Sequence, residues 1–206
     1  LNILLTEYEH PFTTDFLLPS GRLREWRSAY QRADLIVVTK CPPLLAQERK
    51  ERMIERIQPL PHQKIFFSHY TYGHPYYIFN RRYRGKLSKE VDVLLICAIA
   101  RTDYLLDYLE EQVNSIVLMS FEDHHYFTKH ECGSLNATFQ RMKSESKVII
   151  TTEKDAMRLE LHKAFLTEHQ LPIFVLPAQV DFLFEEGEQF DEAIRIKKSP
   201  FGTEEE

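Results

Sequence analysis

Glycine is scarce in this sequence, and its six residues are scattered: Gly21, Gly73, Gly85, Gly133, Gly187 and Gly202. That spacing excludes both the G-x-x-x-x-G-K-[ST] phosphate loop and the G-x-G-x-x-G dinucleotide turn from these residues. Cysteine is scarcer still. Cys41, Cys97 and Cys132 are too few and too far apart for a disulfide framework or a zinc ribbon. Cys97 lies inside the apolar run "VLLICAIA", where a buried, reduced thiol is expected, and a reducing compartment with it. No apolar run approaches the roughly 20 residues of a membrane-spanning helix, and no stretch has the pattern of a signal peptide. An excess of positive charge is missing too. The formal net charge is −5 and the pI near 6.0, which argues against a general nucleic-acid binder.

What is present is enough apolar surface to fold, with 43% hydrophobic residues in a chain of 206. It begins "LNILLTE", without Met and already in an apolar run, which reads as the middle of a longer protein. "LNILLTE" (1–7) and "ADLIVVTK" (33–40) are nearly continuous apolar runs, as in parallel strands buried on both faces. Between them "RLREWRSAYQRA" has helical periodicity. "PPLLAQERKERMIERIQ" predicts an amphipathic helix with Pro43 near its start and Pro59 past its end, burying Leu44, Leu45, Met53, Ile54 and Ile57. "QKIFFSHYTYGHPYYIFN" predicts two strands around a turn, followed by the basic "RRYRGKLSK".

From Val91 the alternation restarts: strands at "VDVLLICAIA", "SIVLMSF", "KVIITT" and "PIFVLPAQV", separated by three helical stretches. This spacing implies parallel βαβ units with right-handed crossovers. The expected organisation is therefore α/β: the end of one α/β unit over 1–60, a β-rich linker with a basic segment over 61–89, a smaller α/β unit over 90–198, and an acidic tail over 199–206. "EEGEQF" and "GTEEE" are expected to be solvated.

In an open parallel sheet, functional residues gather where strands end at their carboxyl sides. Here those places follow Glu7, Lys40, Phe121 and Thr152. After Phe121 stands "SFEDHHYFT" (120–128). Neighbouring residues diverge on either a strand or a helix, so His124 and His125 do not readily share one ion. His130 and Cys132 add no common zinc spacing. Asp123 could cap a turn or the next helix, or a histidine could contact substrate. In "VIITTEKDAMRL", Thr151 or Thr152 can cap a helix whose positive end suits Glu153 and Asp155. Lys154 suits that end poorly, and so either pairs locally or faces an anion. "LLPSGRLREWRSA" offers Arg24 and Arg27 three apart, able to grip a phosphate if helical. The alternative is a solvated face with Glu25 paired to a nearby arginine. "DLIVVTKCPP" places Lys40 at a strand end, a position that can edge a nucleotide.

Taken together, "LNILLTEYEHPFTTDFLLPSGRLRE", "RADLIVVTKCP", "SFEDHHYFT" and "TTEKDAMRL" resemble, in order and rough spacing, the tetraacyldisaccharide 4'-kinase family, in wording most similar to its Bacteroidetes branch. The resemblance covers nearly the whole chain. It implies the C-terminal part of a P-loop NTPase-type α/β/α domain, a β-hairpin linker and a smaller parallel α/β/α domain. The family's P-loop region and its Asp-Asp-Gly-Phe-Gln-His magnesium motif are not among these residues, so ATP phosphates and Mg²⁺ are expected to be held elsewhere. The implied reaction moves the γ-phosphate of ATP to the 4'-hydroxyl of a disaccharide 1-phosphate lipid in lipid A biosynthesis, at the cytoplasmic face of the inner membrane. The family's Asp-His motif falls on Asp123 and His124, its histidine assisting an aspartate base outside these residues. Its Leu-Arg-Glu motif falls on Leu23, Arg24 and Glu25, with Arg22 beside them, in the lipid-headgroup region. Its Thr-Glu-Lys-Asp motif falls on Thr152 to Asp155, with Lys154 and Lys40 as further cleft candidates. The resemblance makes "EDHH" one wall of a cleft, with His124 reactive and His125 its structural neighbour. Ala98 and Thr102 replace a usual glycine and proline, and Glu122 a common proline, which puts loop geometry in question.

Arg81, Arg82, Arg84, Lys86 and Lys89 could touch anionic lipid headgroups, or form a solvated loop. Two rival readings stand beside the kinase. One is a metal-dependent phosphoesterase of the "DHH" type, which would need further aspartates such as Asp-x-Asp before Asp123. The other is a non-catalytic module binding lipid or a partner.

Overall fold

The computed structural model describes residues 1–198, so the expected acidic tail over 199–206 lies outside the described residues. Two compact units emerge among the described residues: Leu1–Thr71 together with residues 180–198, and Tyr72–Gln179.

The first unit is built on a sheet of order β1-β2-β3-β10, formed by β1 (Ile3–Glu7), β2 (Leu35–Thr39), β3 (Lys64–Tyr72) and β10 (Ala178–Phe182). β1 and β3 both run parallel to β2. Alternation along β2 sends Ile36 and Val38 to one face and Leu35 and Val37 to the other. Ile36, Val38 and Phe67 pack with Met53 and Ile57 of α1 (Gln47–Ile57). Leu35, Val37 and Phe66 pack with Ala193 of α6 (Gly187–Lys198), and the Phe190 ring meets Phe66 at 5.2 Å.

Three expectations change here. β1 is not buried on both faces: it is an edge strand, and Ile3 and Leu5, on the side of Leu35 and Val37, are 40% and 66% exposed. Leu44 is 96% exposed, because α1 starts at Gln47 rather than at Pro43. "EEGEQF" is not simply solvated: Glu186 pairs with Lys50 at 2.6 Å and Phe190 enters the core.

The second unit holds the antiparallel pair β4 (Tyr76–Tyr77) and β5 (Asn80–Arg84), followed by β6 (Asp92–Cys97), β7 (Ser115–Ser120), β8 (Lys147–Thr152) and β9 (Ile173–Leu176). Its sheet order is β5-β4-β9-β8-β6-β7, and β7, β6, β8 and β9 are parallel. α2 (Asp103–Gln112), α3 (Lys129–Arg141), α4 (Glu153–Leu159) and α5 (Lys163–Glu168) connect those strands. Leu94, Ile96 and Ile149 fill one core, and Val93, Leu95 and Ile150 fill the other, so apolar contacts cover both faces.

Residues 61–89 thus divide between the sheets instead of forming one hairpin: β3 joins β2, while β4 joins β9 and β5 pairs with β4. "PIFVLPAQV" divides as well. Pro177 has no N–H for the ladder, and the chain changes sheet there, its carbonyl accepting from Gly73 N at 2.9 Å.

The order β7-β6-β8-β9 sends the chain from β6 to one side and from β8 to the other. Their carboxyl ends therefore flank a switch point, where side chains from successive loops converge.

Candidate functional site

At that switch point stands Asp155, whose side chain is fully buried. A buried carboxylate is costly unless charge and hydrogen bonds compensate it. Ala98 N, just past β6, donates to Oδ2 at 2.9 Å, and the Thr152 hydroxyl donates to the same atom at 2.8 Å. Arg158 Nη1 donates to Oδ1 at 3.0 Å, with its own side chain only 12% exposed. Thr152 also caps α4, its Oγ1 accepting from Asp155 N at 3.1 Å. Substituting Ala98 for glycine leaves the backbone donor in place.

The loop after β7 arrives beside this pair. Thr128 caps α3 in a capping box: its Oγ1 accepts from Glu131 N at 3.2 Å, and Glu131 accepts from Thr128 N at 2.7 Å. His125 stacks on Phe121 with ring centroids 5.0 Å apart and places Nε2 3.0 Å from both Glu131 oxygens. Its partners make it a strut of the loop. The His125 hydrogen bond and the Thr128 N–H hold the Glu131 carboxyl down at about 2, from an ordinary 4.5. A lowered folded-state value adds stability that is full above the unfolded value and is lost as pH falls through the folded one. Glu131→Gln is therefore expected to flatten stability against pH between about 5 and 2, measured by urea unfolding across that window. An unchanged slope would deny the carboxylate this role.

His124 is different. Its side chain is 72% exposed, and its φ of 65° lies in the left-handed region that non-glycine residues rarely occupy. Such strain gathers at functional loops. Its own N–H donates to Asp123 Oδ1 at 3.0 Å, and Nε2 lies 3.5 Å from Asp123 Oδ2. Lys154 Nζ donates to Asp123 Oδ1 at 2.8 Å. That hydrogen bond leads the causes holding the Asp123 carboxyl below its usual range, with the neighbouring His124 adding to it. Arg158 Nη2 reaches His124 Nδ1 at 3.4 Å, and the guanidinium carbon lies over the Tyr126 ring at 5.6 Å. "EDHH" and "TTEKD" therefore meet in one network, and Lys154 finds its partner in the neighbouring loop rather than in Glu153 or Asp155.

Sequence reasoning missed Asp155 and Arg158 as its centre. The available signal was Thr-x-x-Asp at a strand-to-helix junction followed by Arg one turn on, which puts cation and carboxylate on one face.

The remaining candidates belong to the first unit. The expected helix over "RLREWRSAYQRA" is only a 3-10 helix, Arg27–Arg32, so Arg24 precedes it and the Arg24–Arg27 phosphate fork is not formed. The residues before it form a tight loop closed by Leu18 N to Leu23 O and Leu23 N to Phe16 O, both at 2.9 Å. Arg27 instead donates to Asp15 O at 2.8 Å and covers the Phe16 ring. Arg22 lies 3.7 Å from Asp15, Glu25 pairs with Arg32, and Arg24 meets no carboxylate among the described residues. Lys40, at φ 57°, pairs with Glu7 beside a hollow of about 430 Å³ at the carboxyl ends of β1 to β3.

Burial pushes the Cys41 thiol up to about 12 and the Cys97 thiol up to about 11, so both are inert at neutral pH. Among the described residues no three His, Cys, Asp or Glu side chains converge as metal ligands, and no helix is long and apolar enough to cross a membrane.

Comparison with known proteins places the chain in a family. The family described as Tetraacyldisaccharide-1-P 4'-kinase matches residues 1–197. The Tetraacyldisaccharide 4'-kinase of Bacteroides fragilis (strain YCH46) is 35% identical over 201 residues, covering 94% of this chain and 53% of its own. That of Parabacteroides distasonis is 36% identical over 211 residues, covering 97% and 57%. Among solved structures, LpxK from Aquifex aeolicus in complex with ATP matches 95% of this chain and 51% of its own, with a TM-score of 0.56 and 22% identity. That likeness shows the mixed α/β fold with parallel sheets. The chain spans about half the length of the curated relatives it matches. It belongs to the tetraacyldisaccharide-1-P 4'-kinase family.

Proposed function

We propose that this chain works as part of an ATP-dependent lipid kinase, phosphorylating the 4'-hydroxyl of tetraacyldisaccharide 1-phosphate in lipid A biosynthesis. The observation that carries this reading is the meeting of the loops after β7 and β8 around one exposed histidine, inside a chain of this family. Phosphoryl transfer asks for positioning, charge neutralisation and a group that manages the hydroxyl proton. In this reading His124 assists the base that takes that proton, a task an imidazole performs by hydrogen bonding to the base and orienting it. Asp123 stays ionised under Lys154 and orients the His124 backbone and ring.

Arg24 and Glu25, with Arg22, are assigned to the substrate, and Lys40 to a cleft edge at the β2 end. Arg24, having no carboxylate partner among the described residues, is the cation most available to a phosphate. The described residues offer neither a glycine-rich phosphate cradle nor three converging metal ligands. We place the two-domain organisation of the family on the two units, with the first as part of the P-loop kinase domain. Contact with an anionic membrane surface is assigned to the exposed strand bearing Arg81, Arg82 and Arg84, each arginine contributing about 1 kcal/mol near such a surface.

The test is a chimera in which this chain replaces the matching half of the Bacteroides fragilis relative. Transfer of label from γ-labelled ATP to the disaccharide 1-phosphate is expected. A folded chimera that forms no labelled lipid would overturn the reading.

A further inference from the structure

Asp155 and Arg158 are a buried, complete ion pair with one unused feature: the second guanidinium nitrogen of Arg158. Asp155 takes Nη1, and the Tyr126 ring lies under the guanidinium, so the direction of Nη2 is fixed before His124 is considered. That nitrogen faces His124 Nδ1 at 3.4 Å. A guanidinium only donates. Nδ1 must therefore carry its lone pair, and the ring proton must sit on Nε2. The other side of the ring agrees, because Nε2 faces an acceptor, the Asp123 carboxylate held by Lys154.

We propose that Arg158, aimed by the buried Asp155, is a positioning residue that locks neutral His124 in the Nε2–H tautomer, so that the ring offers Nε2–H as a hydrogen-bond donor while Nδ1, its one basic nitrogen, is held against the guanidinium. The strand-to-helix junction "TTEKDAMR" thereby has two tasks. Thr152 starts the helix, and Asp155 with Arg158 transmits the position of that helix to a residue in the neighbouring loop. Neither Asp155 nor Arg158 exchanges a proton in this scheme. The consequence for proton transfer rests on the kinase reading of His124, but the tautomer itself can be measured without ATP or lipid.

The experiment is ring-nitrogen NMR of the whole chain labelled with ¹⁵N-histidine, near pH 8, where an ordinary imidazole is neutral. His124 is identified as the signal lost in His124→Gln. Wild-type chain is expected to show one tautomer, with protonated Nε2 and bare Nδ1. In Arg158→Lys a single ammonium can still pair with Asp155 but cannot serve two partners in fork geometry. The Nδ1–H share of His124 should then rise several-fold while the melting temperature stays near wild type. Asp155→Asn should produce the same change although it does not touch His124. If it fails to fold, Arg158→Lys decides alone. A wild-type ring protonated on Nδ1, or already averaged between tautomers, overturns the proposal. So does a ring spectrum unmoved by Arg158→Lys. Failure of the tautomer test leaves the transfer assay of the chimera untouched, and an inactive chimera with a locked tautomer would sink the kinase reading alone.

Discussion

Asp155→Ala is expected to destabilise the chain by about 3–5 kcal/mol, the range for breaking a buried ion pair by removing one partner. The arithmetic follows from what the carboxylate leaves behind. Arg158, only 12% exposed, keeps a charge with no counter-ion, and the Ala98 N–H and Thr152 hydroxyl each lose their acceptor. Each unsatisfied buried donor alone costs about 1–3 kcal/mol. The exposed Glu25–Arg32 pair is the control: its side chains are 61% and 69% exposed, and Arg32→Ala should cost under about 1 kcal/mol. Urea unfolding followed by circular dichroism compares the two. A loss at Asp155 no larger than at Arg32 would show that water, rather than Arg158, neutralises the carboxylate.

The same contrast explains what could be read in the chain beforehand. Over residues 91–176 the pattern is local: short apolar runs separated by helices, with strand ends marked by polar residues. There the strands β6 to β9 fall where periodicity puts them. Periodicity carries no information about partners. It could not tell that β3 would pair with β2 and β4 with β9, dividing "QKIFFSHYTYGHPYYIFN" between two sheets instead of closing it into a hairpin. Nor could it tell that the chain would leave the second sheet at Pro177 and bring Phe190 back beneath Phe66.

"RLREWRSAYQRA" has the spacing of a helix, but the loop closed around Leu17 and Leu23 uses the first of those residues, so only one short 3-10 stretch remains. The site was legible to the extent that it is sequential. Asp123, His124 and Lys154 stand at strand ends, where function concentrates. Asp155 looked like a helix-end carboxylate, because burial is decided by β6 and its loop, 57 residues away along the chain.

His124→Ala in the chimera should lower turnover by about 10- to 1,000-fold, the scale of losing an acid–base assistant. KM should change little, since the histidine is assigned to the proton rather than to substrate binding. The fold has small reason to object, because the side chain is 72% exposed. What the backbone minds is φ 65°, which alanine tolerates poorly and asparagine well. His124→Asn therefore separates the two explanations. Asparagine relieves the left-handed strain and can still accept from Arg158, but it cannot exchange a proton. If turnover falls alike in both variants while the melting temperature holds in His124→Asn, the imidazole itself is the functional group. If His124→Asn turns over at the wild-type rate, the residue serves only to bend the loop, and the assignment of the Asp-His motif to chemistry fails in this chain.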